Sequence, residues 1–282
     1  MEHLKISLIT ACLLLAVQAF AQEDKGYVYE TFKETRIVNG HSAETTGEGD
    51  LNLIIAHRFG TLNGGVYEWF GLDDATMRIG LDYGVSKNFT LGLGRSTFEK
   101  TYDGYAKFRV LHQNNRNPIS LTAFASTAIN TIRFNEDEQE YKRFKHRLFY
   151  TAQLLIARKF SDRFSLQLMP SWVHRNLVAT SAEKNNVFSL GAATRIQITK
   201  TIGLNLEYYY VPDDQLRAET FNSFSVGFDI ETNGHTFQLH FTNSQGMIEK
   251  FFIAETTGDW LDQGVHFGFN ISRVFRVKAK KQ

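Results

Sequence analysis

Three residues in the C-terminal part of the chain, Asp229, His240 and His266, are of the types that bind divalent metals or relay protons. A carboxylate and two imidazoles suit zinc or copper when they converge on one point. Without fixed geometry the same trio is an ordinary hydrogen-bonded network. Further charges recur at alternate positions within apolar-rich stretches: Arg58, Arg78, Asp82, Lys107, Arg109, Arg195, Glu207 and again Asp229. Charges removed from bulk water must pair or line water. This set therefore makes either a web of salt bridges filling a narrow space or a charged pore with a mild anion bias. His57 beside a serine would be the start of a lipid hydrolase, but nothing in the spacing fixes a serine there. A histidine near a strand end is the plainer reading. The charged run FNEDEQEYKRFK, Phe134 to Lys145, reads as a solvated, salt-bridged loop rather than a cation or partner site. No Gly-rich phosphate loop, His-Glu-x-x-His helix or cysteine metal motif occurs, so neither a cofactor nor an enzyme is expected.

Whether the trio converges depends on register. Asn233-Gly234 between two alternating runs signals a two-residue type I′ hairpin. Thr232 then opposes His235, Asp229 opposes Gln238, and His240 lies across the diagonal on the same face. The following loop is long and leaves its register open. A ladder beginning at Thr242 and Gly264 would set His240 opposite His266.

The elements that must position these groups are strands. In GVHFGFNISRVF, Gly264 to Phe275, the apolar residues Val265, Phe267, Phe269 and Ile271 alternate with His266, Gly268, Asn270 and Ser272. Period two with one aromatic and one polar face is the pattern of a strand between lipid and a polar lumen. Backbone in hydrocarbon must be paired on both edges, which requires a closed barrel. Eleven earlier stretches repeat the pattern, from Leu51, Leu53, Ile55 and Phe59 against Asn52, Ala56 and Arg58 to Phe237, Leu239 and Phe241 against Gln238, His240 and Thr242. In the sixth, Leu148, Tyr150, Leu154 and Ile156 oppose Thr151 and Gln153; the fifth, Ile119 to Ile129, is less regular.

The connections alternate. Short turns are expected at 86–88, 114–117, 161–163, 200–201 and 233–234, and long charged loops at 60–74, 97–104, 131–145, 175–186, 212–220 and 243–263. Short periplasmic turns and long outer loops, with both termini periplasmic, mark an outer-membrane barrel of about twelve strands. A soluble β-sandwich has no reason to alternate its loops this way. Aromatics near strand ends, Tyr208-Tyr209-Tyr210, Trp172 and Phe275, read as interfacial girdles.

Residues 1–21 have a lysine, an apolar run and Ala19-Phe20-Ala21, the form of a signal peptide cleaved before Gln22. They include the single cysteine, Cys12, so no disulfide is expected in the mature chain. Residues 22–49 read as a periplasmic leader, mostly irregular, with a short strand or a lumen-entering segment around Thr35 to Ser42. Residues 50–275 form the barrel and 276–282 a basic periplasmic tail. With 31 basic and 30 acidic residues, charge gives no case for nucleic acid. Only three prolines, against 24 Phe and 11 Tyr, favour strands. Beyond the signal no apolar run reaches the length of a transmembrane helix.

The run GFDIETNGHTFQLHFTNS (Gly227 to Ser244), His57-Arg58-Phe59-Gly60 and the ending FGFNISRVF resemble a family of bacterial outer-membrane β-barrel proteins classed as a domain of unknown function. The resemblance spans about Tyr29 to Phe275. It implies the barrel and the outer membrane and carries no assigned activity. The expected partners are the lipid bilayer and the barrel-assembly machinery, with small polar solutes if the lumen is open. The expected function is a passive channel; a structural or partner-binding barrel with a filled lumen is the alternative, and a lipid hydrolase a distant one.

Overall fold

Alternation with period two closes twelve antiparallel strands into one barrel in a computed structural model that describes residues 26–135, 143–180, 183–215, 217, 219–232, 234–262 and 264–278. The expected signal peptide, residues 22–25, Asn233 of the hairpin turn, residues 136–142 of the charged loop and the end of the tail lie outside the described residues. The strands are β1 (Asp50–Thr61), β2 (Ala75–Ser86), β3 (Phe89–Ser96), β4 (Thr101–Leu111), β5 (Ser120–Asn130) and β6 (Leu148–Ser161). They continue with β7 (Phe164–Arg175), β8 (Asn186–Gln197), β9 (Ile202–Tyr210), β10 (Ser223–Thr232), β11 (His235–Thr242) and β12 (His266–Arg276). Each pairs with its sequence neighbours, and β1 closes on β12 with Ile55 opposite Ile271. No free edge is left, as hydrocarbon requires. No helix of the described residues is long and apolar enough to cross a membrane.

The outer face carries the apolar set. Leu93, Leu154, Phe188 and Leu190 stand exposed around the wall. His57 belongs to this face and stacks on Phe269, ring centroids 5.0 Å apart. The inner face is buried. Tyr209, grouped in sequence with the girdle tyrosines, obeys the alternation instead: it points inward, and its hydroxyl lies 3.2 Å from the Met169 sulfur.

Loop alternation holds except at two connections. β4 begins at Thr101, so the β3–β4 connection is the tight turn 97–100 rather than a long loop to Gly104. Tyr102, Asp103 and Gly104 continue the ladder opposite Arg95, Gly94 and Leu93, and the chain reverses through Glu99 and Lys100 at positive φ. The β4–β5 turn is correspondingly longer, residues 112–119. The short-turn end, which also holds Gly49 against Lys278, is the periplasmic end of such a barrel.

Two segments fill the interior. The leader enters from the periplasmic end, and the β11–β12 loop, carrying helix α1 (Glu249–Ala254), folds in from the outer end. Phe32, Ile37, Val38 and Ala43 of the leader and Phe252, Ile253 and Ala254 of the loop join one apolar core with inward residues of β5–β8, among them Phe124, Leu155, Met169 and Val187.

Candidate functional site

The leader is anchored at the periplasmic mouth. The Val28 N–H donates to the Gln113 carbonyl at 2.8 Å, and Tyr27 stacks on His112 at 4.6 Å. The chain then climbs to a tight reversal. Arg36 bridges His41, the Ile37 N–H donates to the Gly40 carbonyl at 2.9 Å, and the Ser42 N–H to the Thr35 carbonyl at 3.0 Å. Two apolar residues followed by Asn39-Gly40 make the turn, and the chain runs back to β1.

Backbone away from water needs partners, and the wall supplies them. The Glu207 carboxylate accepts from three successive N–H groups, Val38 at 3.2 Å, Asn39 at 3.1 Å and Gly40 at 3.0 Å. Gln238 donates to the Arg36 and Ile37 carbonyls, and Asn270 to the Val38 carbonyl at 3.0 Å. Arg58 donates to Asn39 Oδ1 at 2.9 Å and to Asn270 Oδ1 at 3.1 Å. Lys107 Nζ donates to the Thr35 carbonyl at 3.2 Å. Arg109 donates to the Ala43 carbonyl and, at 2.9 Å, to the Glu44 carboxylate. Asp82 accepts from the Thr35 hydroxyl at 3.0 Å and from the Tyr105 hydroxyl.

The remaining inward charges are neutralised in the wall. Arg78 Nε donates to Asp103 at 2.9 Å, and Arg195 Nε to Asp229 at 3.3 Å. Every lumen charge expected from the sequence is thus on the inner face. Asp103 and Arg175 were missed, and the leader, expected as a short strand or a lumen-entering segment around Thr35 to Ser42, was given no partners in the wall. The signal for Asp103 was hidden by assigning it to a loop. The signal for the leader was the sequence Ile-Val-Asn-Gly itself, a turn with an apolar flank inside a polar stretch.

At the outer end the loop meets the leader. Arg36 donates to the Met247 carbonyl at 3.4 Å, and His41 Nε2 stands 3.6 Å from Glu249 Oε1. Burial pushes the His41 imidazole well below its ordinary range and raises the Glu249 carboxyl. Lys250 lies over the rings of Phe149 (4.1 Å) and Phe251 (4.5 Å) and pairs with Glu99 and Glu255. A vestibule of about 740 Å³ opens outside this layer, and another of about 720 Å³ at the periplasmic mouth beside Glu44, Lys87 and Arg109.

The Asp229, His240 and His266 trio does not converge. The hairpin register is the expected one, Thr232 opposite His235 and Asp229 opposite Gln238. The next ladder differs: Thr242 pairs with His266 and His240 with Gly268, two residues from the assumed start. The infolded loop takes up the residues before His266, so β12 joins the ladder later. His266 Nδ1 bonds the Phe59 carbonyl at 2.8 Å, Asp229 bonds Gln238 and Arg195, and the His240 nitrogens have no hydrogen-bond partner among the described residues. Among the described residues no three His, Cys, Asp or Glu side chains group as a metal site.

Solved structures similar to the chain include the KdgM porin, at 8% identity and TM-score 0.48, covering 80% of this chain and 99% of that one. An outer membrane channel from Pseudomonas putida F1 is 14% identical at TM-score 0.48, covering 84% of this chain and 100% of that one. Omp33, an outer membrane protein of Acinetobacter baumannii, is 8% identical at TM-score 0.44, covering 81% and 99%. No curated protein sequence matches. Residues 32–275, nearly the whole of the leader and barrel described above, match the family "Membrane bound beta barrel domain (DUF5777)", and the chain belongs to that family of membrane barrels.

Proposed function

We propose that this outer-membrane barrel is a channel for small polar solutes, held shut in this conformation by its own leader and outer loop. The observation that carries the reading is how the leader is held. Its tip is irregular backbone bound by wall side chains, with Glu207 alone taking three N–H groups. Hydrogen bonds of this kind exchange with water at small net cost, so a polar lane along β9–β12 and β1–β4 can be emptied without unfolding the wall. The proposal includes no catalytic role.

A second reading, a permanently filled structural barrel, is favoured by the apolar core between the leader and β5–β8. Single-channel recording in planar bilayers separates the two. A Cβ added to Gly40 would collide with the Tyr209 hydroxyl inside the barrel, so Gly40→Val should expel the tip. The natural chain should open rarely and the variant often. Glu207→Ala, which removes the latch without adding bulk, should do the same. If both variants stay silent while showing the heat-modifiable migration of a folded barrel, the channel reading fails and the structural one stands.

A further inference from the structure

Three cations of the wall take partners from the leader that no wall residue replaces. Arg109, at the periplasmic mouth, donates to the Ala43 carbonyl at 3.3 Å and the Glu44 carboxylate at 2.9 Å. Lys107, two residues deeper on β4 and so about 7 Å along the strand, donates to the Thr35 carbonyl at 3.2 Å. Among the described residues Lys107 has no carboxylate within ion-pair distance. Arg58, in the outer half of β1, donates to Asn39 Oδ1 at 2.9 Å and the Val38 carbonyl at 3.5 Å. Of the wall's other inward cations, Arg78 has Asp103, Arg195 has Asp229, and Arg175 has Glu183 and Glu255; Lys159, at the periplasmic end of β6, reaches the Tyr29 carbonyl of the leader at 3.4 Å but also has Asp162 beside it.

The leader thus presents oxygen atoms, one of them a carboxylate, to a row of cations running inward from the periplasmic mouth. We propose that it occupies this lane as a stand-in for an anionic solute, and that the solutes the barrel passes are small oxyanions bearing carboxylate or phosphate groups. This rests on the channel reading above. With the leader withdrawn, Lys107 and Arg109 lose the hydrogen-bond partners described here, and Arg58 keeps only Asn270 and the His57 carbonyl. Besides charges paired within the wall, such as Arg78–Asp103 and Arg195–Asp229, the lane retains two carboxylates against these three cations. Glu207 is one; Asp82 is the other and stays bonded to Tyr105 in the wall. Cations left without partners in a narrow, low-dielectric passage attract anions and repel cations.

The experiment uses full-length Gly40→Val, in which the lane is unlatched. Its reversal potential in a potassium chloride gradient should have the sign of anion selectivity, with chloride severalfold more permeant than potassium. Lys107→Gln and Arg109→Gln, singly and together in that background, should lower the ratio stepwise toward or below one. Succinate and phosphate added to the bath should each reduce the chloride current, and the more effective of the two identifies the headgroup. A potassium-selective or unselective current, lane variants that leave the ratio unchanged, or no block by either oxyanion would overturn the inference while leaving a channel. Silence of the folded Gly40→Val and Glu207→Ala proteins would overturn the channel reading, and this inference with it.

Discussion

His41, beside the tip of the leader, faces Glu249, on the outer loop, inside the barrel, with Nε2 and Oε1 3.6 Å apart and both side chains buried. The gap is longer than a hydrogen bond, and both His41 ring nitrogens and Glu249 Oε1 are without hydrogen-bond partners among the described residues. His41 otherwise rests on rings, Tyr105 and Phe124, each 4.4 Å away. The two ends of the plug thus meet through polar groups that neither fully satisfies.

A buried polar group without a hydrogen-bond partner costs about 1–3 kcal/mol, and an apolar group of similar size in its place removes that cost. Glu249→Leu and His41→Leu should therefore each hold or raise the temperature at which the heat-modifiable band shifts, and the double variant should be at least as stable as either. Losses in the single variants that the double variant recovers would show that the two residues satisfy each other after all.

Glu207 makes a second, independent prediction. Its loss in Glu207→Ala strands the N–H groups of Val38, Asn39 and Gly40, each at about 1–3 kcal/mol if it stays buried. The tip should leave the lumen to find water. Limited trypsin treatment should then cut after Lys33 and Arg36 in the variant and spare both in the natural chain, where Arg36 is buried. Equal protection in the two proteins would mean that the apolar contacts of Phe32, Ile37 and Val38 hold the leader alone.

Adjacent leucines on β6 test the wall. Leu154 faces lipid at 46% exposure, while Leu155 is at 0% against the plug. Leu154→Arg should cost about 2–4 kcal/mol near the midplane. Leu154→Phe should be harmless, since lipid adapts to the larger ring. Leu155→Phe should cost about 1–3 kcal/mol through overpacking. Folded yield and the midpoint of heat modification would report all three. The neighbouring Gln153 donates to the Ser171 hydroxyl at 2.8 Å in a packed interior, so an arginine there is not the free substitution that an open lumen would allow.

How much of this was legible follows from the same residues. Strand number, face assignment and the inward set of charges come directly from period two, because lipid on one side leaves no latitude. Leu155, Met169, Val173 and Val187 break the apolar-out, polar-in rule because their inner partner is an apolar plug. The alternation alone holds no information on what fills the lumen. The β3–β4 turn was misplaced because Tyr102-Asp103-Gly104 has turn composition, and only pairing with Arg95, Gly94 and Leu93 makes it strand. The His240 register depended on the path of the β11–β12 loop, which is set by long-range packing rather than by local sequence.

That register carries the last prediction. Opposite His240 stands Gly268, and a Cβ there would approach Arg58 Cδ, His240 Nε2 and the His57 carbonyl, each to 2.7 Å. The missing side chain is what lets the Arg58 guanidinium reach Asn39 and Asn270 past the imidazole. Gly268→Ala should therefore destabilise the barrel by about 1–3 kcal/mol, as overpacking does, and loosen the leader, because Arg58 must shift. His240→Ala should restore part of the stability of Gly268→Ala by emptying the facing site. His266→Ala should restore none, since His266 pairs with Thr242. Rescue by His266→Ala and not by His240→Ala would show that His240 does not face Gly268 and would refute the register. The midpoint of heat modification, measured on the three single and two double variants, decides between them.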